Sequence, residues 1–125
     1  MRSDQLCPCG STAEYGSCCR PLHLGERQAE TAEALMRSRY SAYVLGEATY
    51  VWRTWHPRTR PAHVDEDLSV TWMRLEIVDV AAGGVDDDSG EVEFRAHHRR
   101  GVLHERSRFA RRARRWFYVD GDLFD

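Results

Sequence analysis

Four cysteines, Cys7, Cys9, Cys18 and Cys19, are the only ones in the chain, and they fall within thirteen residues. In a reducing compartment such a cluster reads as a metal site rather than as a disulfide pair. Four thiolates at the two ends of a short loop suit tetrahedral zinc, with Zn–S near ~2.3 Å and no position left for water. Pro8 and Gly10 can tighten the first knuckle, and Gly16 the approach to the second cysteine pair. The motive is energetic. A segment this short buries too little apolar surface to fold alone, whereas a structural zinc supplies on the order of 10 kcal/mol. His23, four residues beyond Cys19, is a second choice that could replace one thiolate. A redox role suits the cluster less, because a closed thiolate site is generally inert.

Two further residues have acid–base chemistry. Between Val102 and Arg111 the residues read as a strand, which puts Leu103, Glu105, Ser107 and Phe109 on one face. If that face is concave and apolar, burial raises the Glu105 pKa towards the range of a general base. His56, before Pro57, is a candidate partner near the mouth of such a pocket. The competing reading is structural: Glu105 pairs with an inward-pointing arginine such as Arg39, and His56 is a satisfied loop histidine. His97 and His98 are neighbours on a strand, point to opposite faces and cannot share one metal.

A third feature is electrostatic. From Arg95 to Arg115 there are nine arginines and a single acid, Glu105. Arg106 and Arg108 share the strand face opposite Glu105, and Arg111 and Arg112 follow, with Trp116 and Tyr118 nearby for base stacking. Such a stripe could contact RNA or the ribosome with strong salt dependence. The alternative is that these arginines pair with acids elsewhere, which a net charge of −2 and a pI near 6.3 favour.

The elements that must position these groups change character halfway along the chain. Thr31 is a helix N-cap with Glu33 in the first turn. Ala32, Met36, Tyr40, Tyr43 and Val44 recur at helical spacing, and Gly46 ends the pattern. A second helix is expected from Glu47 to about Trp55, ended by His56-Pro57. Residues 62–69 fit either a short helix or a loop. Thr71 to Ala81 reads as a strand, and 82–90 as a mobile acidic turn. Val92, Phe94 and Ala96 alternate with charged residues, Arg100-Gly101 marks a hairpin, and Asp120-Gly121-Asp122 reads as an exit turn. Helices followed by antiparallel strands make the fold class α+β.

The chain has 125 residues, 42% of them hydrophobic and 30% charged, and a mean hydropathy of −0.63. No apolar run approaches the ~20 residues of a membrane span, and Met1 to Leu6 do not resemble a secretory signal. The expectation is a soluble cytoplasmic protein of one ordinary domain with a small appendage.

The run CPCGS, then Tyr15, then Cys18-Cys19 resembles the SEC-C zinc motif found at the C-terminus of the SecA translocase, with Cys19 where histidine usually stands. Over nearly its full length the chain is also similar to the YchJ-like family. Thr31 to Tyr43, Thr54-Trp55-His56-Pro57, His104 to Phe109 and Trp116 to Gly121 carry that likeness. The resemblance implies residues 1–25 as a SEC-C segment and 26–125 as a cone-shaped α+β domain similar to nuclear transport factor 2. It further implies one structural zinc and a knuckle that docks a protein partner, associated with translocation or the ribosome, through Leu6, Tyr15, Leu22 and Leu24. The alternative is small-molecule binding or acid–base chemistry inside the cone, as in ketosteroid isomerase. Many family members carry a second SEC-C segment, and a role requiring two is not expected here.

Overall fold

Thr31 opens the long helix as its residue type predicts: its Oγ1 accepts the Ala34 N–H at 3.0 Å, and the helix, α2, runs Ala32–Leu45. Gly46, at φ +74°, ends it in the left-handed conformation that favours glycine. Before it come a 3₁₀ turn at Tyr15–Ser17 and α1, Arg20–His23; after it comes α3, Ala48–Arg53, a little shorter than expected. The computed structural model describes residues 1–64 and 70–124. Most of the undecided stretch 62–69 therefore lies outside the described residues, and 62–64 form no helix.

Four strands follow: β1 Trp72–Ala82, β2 Ser89–His98, β3 Gly101–Arg112 and β4 Arg115–Phe124, an antiparallel meander in the order β1-β2-β3-β4. Val92, Phe94 and Ala96 are buried as their alternation requires. The β1–β2 connection is pinned to the helical layer, since Gly83 O accepts from Ala32 N at 2.9 Å. Asp120-Gly121-Asp122 is not an exit turn. β4 continues through it because Asp120 and Asp122 lie opposite Arg108 and Arg106 on β3, and Arg108 binds both carboxylates. These cross-strand ion pairs override the turn propensity of Asp and Gly.

Residues Thr54 to His56 add a short parallel contact to β4: His56 N–H donates to Tyr118 O (2.7 Å) and Tyr118 N–H to Thr54 O (2.9 Å). This contact holds Trp55 over the concave face of the sheet. Leu35, Val51, Val92, Phe94, Phe109 and Trp116 form the core between helices and sheet.

Helix α2 departs from the expected single apolar face. Tyr43 and Val44 are exposed, whereas Ser38, Arg39 and Ser41 are buried. The reason is that α2 is covered twice, by the sheet on one side and by the cysteine segment on the other. A helix packed on two sides has no continuous polar stripe.

Candidate metal centre and cone pocket

The cysteine segment is shaped by its own backbone. Cys7 N–H donates to Ala13 O (2.8 Å), Gly10 N–H to Cys7 O, and Leu6 bridges Glu14. This hairpin presents Cys7 and Cys9, while the 3₁₀ turn and the start of α1 present Cys18 and Cys19. All four sulfurs lie within 4.8 Å of one another. Sγ–Sγ separations are 3.6 Å for Cys9–Cys18 and 3.9 Å for Cys18–Cys19. A tetrahedron with Zn–S of ~2.3 Å has edges of ~3.8 Å. A disulfide would need ~2.05 Å, and all four cysteines are free. The donor set therefore fits a tetrahedral metal ion. The thiols also polarise one another: hydrogen bonds from Cys19 and Cys9 hold the Cys7 pKa far below its ordinary value, and burial pushes Cys18 up to about 11.

His23 does not belong to this set. Tyr15 donates its hydroxyl hydrogen bond to His23 Nδ1 (2.7 Å), and Nε2–H donates to Ser38 O (2.8 Å). Both ring nitrogens are used, and burial, as the largest cause, lowers the histidine pKa, so the ring is held neutral. Its role is to fasten the segment to α2. Two other contacts from α2 do the same. Arg37 Nη1–H donates to Cys9 O at 2.6 Å, and the Ser41 hydroxyl lies 3.6 Å from Cys7 Sγ and 3.4 Å from Cys19 Sγ. Such outer hydrogen bonds orient metal ligands.

Of the four residues expected to form an exposed docking patch, Tyr15 and Leu22 are buried, and Leu6 and Leu24 are exposed at 67% and 53%. Tyr15 is withdrawn by its bond to His23, and Leu22 by packing into the main core.

On the other side of α2 the inner face of the sheet lines a partly open cavity of about 290 Å³. Its walls are mostly apolar, with Trp72, Phe94 and Leu103 among them, and Arg39, Trp55, Glu105, Ser107 and Tyr118 are among the residues that supply polar groups. Glu105 is on the wall, as the period-two pattern of β3 predicts. It is not ion-paired with Arg39. Its Oε2 accepts from Ser107 Oγ (2.6 Å) and from the Tyr118 hydroxyl (3.1 Å), and no arginine nitrogen lies within 4 Å among the described residues. Tyr118 stands between the two charges, its ring centroid 4.7 Å from the Arg39 guanidinium carbon and its hydroxyl on the carboxylate. Burial, then Glu105, pushes the Tyr118 pKa up, so the phenol stays protonated and donates.

Arg39 is 4% exposed, and burial pulls its pKa down from the ordinary value. Its Nη1 donates to Val51 O (2.7 Å) and Thr54 Oγ1 (2.8 Å), and the guanidinium also sits 5.3 Å from the Trp55 ring. Trp55 has a buried indole N–H without an acceptor. Arg39 points inward, as the sequence reading allows, but its partners are Val51 O, Thr54 Oγ1 and the Trp55 ring rather than Glu105. Trp55 has no acid–base chemistry and is not read as a pocket residue from the sequence. His56 itself is not on the cavity wall. Its Nδ1 accepts from Arg58 N–H (3.1 Å), and its ring lies on Phe117.

Of the arginine stripe, Arg106 and Arg108 lie on the convex face and are committed to acids, whereas Arg111 is on the same face of β3 as Phe109. Arg106 contacts Asp79, Glu91 and Glu93, and Arg108 contacts Asp120 and Asp122. Arg111 donates to Glu30 O and Gly84 O and stacks on Trp116, whose indole N–H also binds Glu30 O. Arg112 is exposed. His97 and His104 take carboxylate partners on the convex face, Glu76 and Glu93. Among the described residues no helix is long and apolar enough to cross a membrane.

Comparison with known proteins agrees with this geometry. The family model for the YchJ middle domain, described as NTF2-like, matches residues 31–121. A UPF0225 protein of Streptomyces coelicolor is 54% identical over 119 residues, which covers 95% of this chain and 96% of that protein. One from Corynebacterium efficiens is 46% identical, covering 96% and 95%. Two solved structures are similar throughout. A SEC-C motif containing protein from Rhodopseudomonas palustris superposes with a TM-score of 0.82 at 36% identity, covering 95% of this chain and 98% of that one. Another from Psychrobacter arcticus gives 0.78 at 29%, covering 98% and 85%.

Proposed function

Because the chain belongs to the YchJ-like family of SEC-C motif proteins, we propose that it is a zinc-braced small-molecule-binding protein whose working site is the cone pocket. Cys7, Cys9, Cys18 and Cys19 would hold the zinc, which supplies structural cross-linking and no open coordination position. Ser41, Arg37 and His23 transmit that rigidity to α2, and α2 carries Arg39 into the cavity. The reduced thiols this needs imply the cytoplasm. The observation that carries the reading is the cavity itself: an apolar chamber whose buried guanidinium and half-buried carboxylate keep hydrogen-bonding capacity to spare. Pockets that bind small molecules combine an apolar lining with a few convergent polar groups in this way.

A fragment screen on the zinc-loaded protein tests it, with Leu103→Trp as the variant that fills the chamber. Saturable binding that disappears in Leu103→Trp is expected. Fragments that bind equally well to the plugged variant would overturn the pocket as the working site.

A second reading, partner docking by the knuckle, is favoured by the exposure of Leu6 and Leu24. It is tested by capture from native lysate with wild type and with Leu6→Asp/Leu24→Asp at two salt concentrations. A partner lost with the two leucines supports docking, and a salt-sensitive ribosomal fraction retained by the variant points to Arg112 and its neighbours instead.

A further inference from the structure

The polar groups of the pocket are unevenly matched, and the imbalance identifies what it takes. On the donor side are the Trp55 indole N–H, which has no acceptor, and the Arg39 guanidinium, which makes hydrogen bonds from Nη1 alone and none from Nε or Nη2 to any described residue. On the acceptor side is Glu105, whose Oε2 already takes two hydroxyl donors. A buried charge is ordinarily paired. Arg39 is buried, has no carboxylate within 4 Å among the described residues, and is stabilised by the faces of Trp55 and Tyr118. Those faces are then unavailable to a cationic ligand, which would also meet the guanidinium.

From this surplus of donors we infer that the pocket binds a small organic monocarboxylate, its carboxylate taken by the Arg39 guanidinium beside the Trp55 ring and its ring-sized apolar body lying against Trp72, Phe94 and Leu103. The size follows from the chamber. At ~30 Å³ of liquid volume per water, about 290 Å³ corresponds to roughly ten waters, room for a single aromatic or cycloaliphatic acid. The planar, forked guanidinium is the group suited to bidentate carboxylate recognition. Glu105 sits at the other pole, its Oε1 open to a hydroxyl donor on the far side of the ring. This inference rests on the pocket reading given above and deepens it.

Calorimetric titration of the zinc-loaded protein with benzoate, benzamide and benzylamine separates charge from shape, since benzamide matches benzoate in shape without its charge and benzylamine keeps the ring with the opposite charge. Benzoate is expected to bind saturably, benzamide roughly tenfold or more weakly, because the charge-assisted hydrogen bonds are lost, and benzylamine not at all. Trp55→Phe keeps an aromatic face beside Arg39 but removes the indole N–H and part of the ring, and is expected to weaken benzoate severalfold. Glu105→Gln removes the opposing negative charge and is expected to tighten it. Retained zinc and a cooperative urea transition establish that both variants are folded. Benzamide or benzylamine binding as well as benzoate would overturn the carboxylate assignment while leaving the pocket as a binding site. If Leu103→Trp-sensitive fragments are found but no carboxylate is among them, the assignment also fails. If no fragment of any charge binds, the pocket reading fails with it.

Discussion

Gly121 lies opposite Ser107 on the β3–β4 ladder, and a Cβ there would meet the Glu105 carboxylate at less than van der Waals distance. The absence of a side chain at one residue therefore sets the position of the one carboxylate on the pocket wall among the described residues. Gly121→Ala is expected to push Glu105 off Ser107 and Tyr118 and to destabilise the fold by about 1–3 kcal/mol, as overpacking does. A urea midpoint unchanged from wild type would contradict this. His23 gives a pH prediction. Burial lowers its pKa below the ordinary 6.5, so between the folded and unfolded values the unfolded chain binds more protons. The stability from neutral His23 is complete above pH 6.5, starts to be lost below it, and is gone once pH falls through the folded pKa. In zinc-saturated buffer, wild type is expected to lose more stability between pH 7.5 and 5.5 than His23→Gln does. Equal losses would remove His23 from the account. At this scale the sequence was most informative where spacing is local: the four cysteines, and Glu105 through the alternation of β3. The bonds of His23 to Tyr15 and Ser38, and the failure of Arg39 to reach Glu105, depend on contacts between distant residues and carry no local periodicity.

Among the elements, α2 joins the two sites. Arg37, Ser38 and Ser41 face the cysteine segment, and Met36, Arg39 and Tyr40 reach the pocket. The helix itself is legible from Thr31 and Gly46, and Ala32, Met36 and Tyr40 are buried as their spacing predicts, but Tyr43 and Val44 are not. Reading Tyr43 and Val44 as core assumed one buried side, and a helix covered on both buries serine and arginine instead. β4 differed for a related reason: Asp120-Gly121-Asp122 has the composition of a turn, and only the facing Arg106 and Arg108 make it a strand. Thr31→Ala removes the cap accepted from Ala34 N–H and is expected to cost about 1 kcal/mol, measured by urea denaturation, with no loss of zinc. Removing zinc with a chelator is expected to speed amide exchange across residues 37–41 of α2 more than across β2. Equal protection of α2 with and without metal would show that the knuckle does not brace it.

For the molecule as a whole, the charge asymmetry of the sequence is mostly resolved within the fold. Arg106 and Arg108 of β3 are matched on the convex face by acids of β1, β2 and β4, whereas in the concave chamber Arg39 has no carboxylate partner among the described residues and the Trp55 indole N–H has no acceptor. The knuckle, α2 and the cone then form one chain of support from four thiols to one guanidinium. The most direct test of that account reads the four tryptophan indole N–H signals of the zinc-loaded protein by NMR as small-molecule fragments are added. Trp55 and Trp72 line the pocket; Trp52, bound to Pro61 O, and Trp116, bound to Glu30 O, do not. The account predicts saturable shifts of the Trp55 and Trp72 signals with those of Trp52 and Trp116 unmoved. Shifts confined to Trp52 or Trp116, or no saturable shift at Trp55 with any fragment, would contradict it.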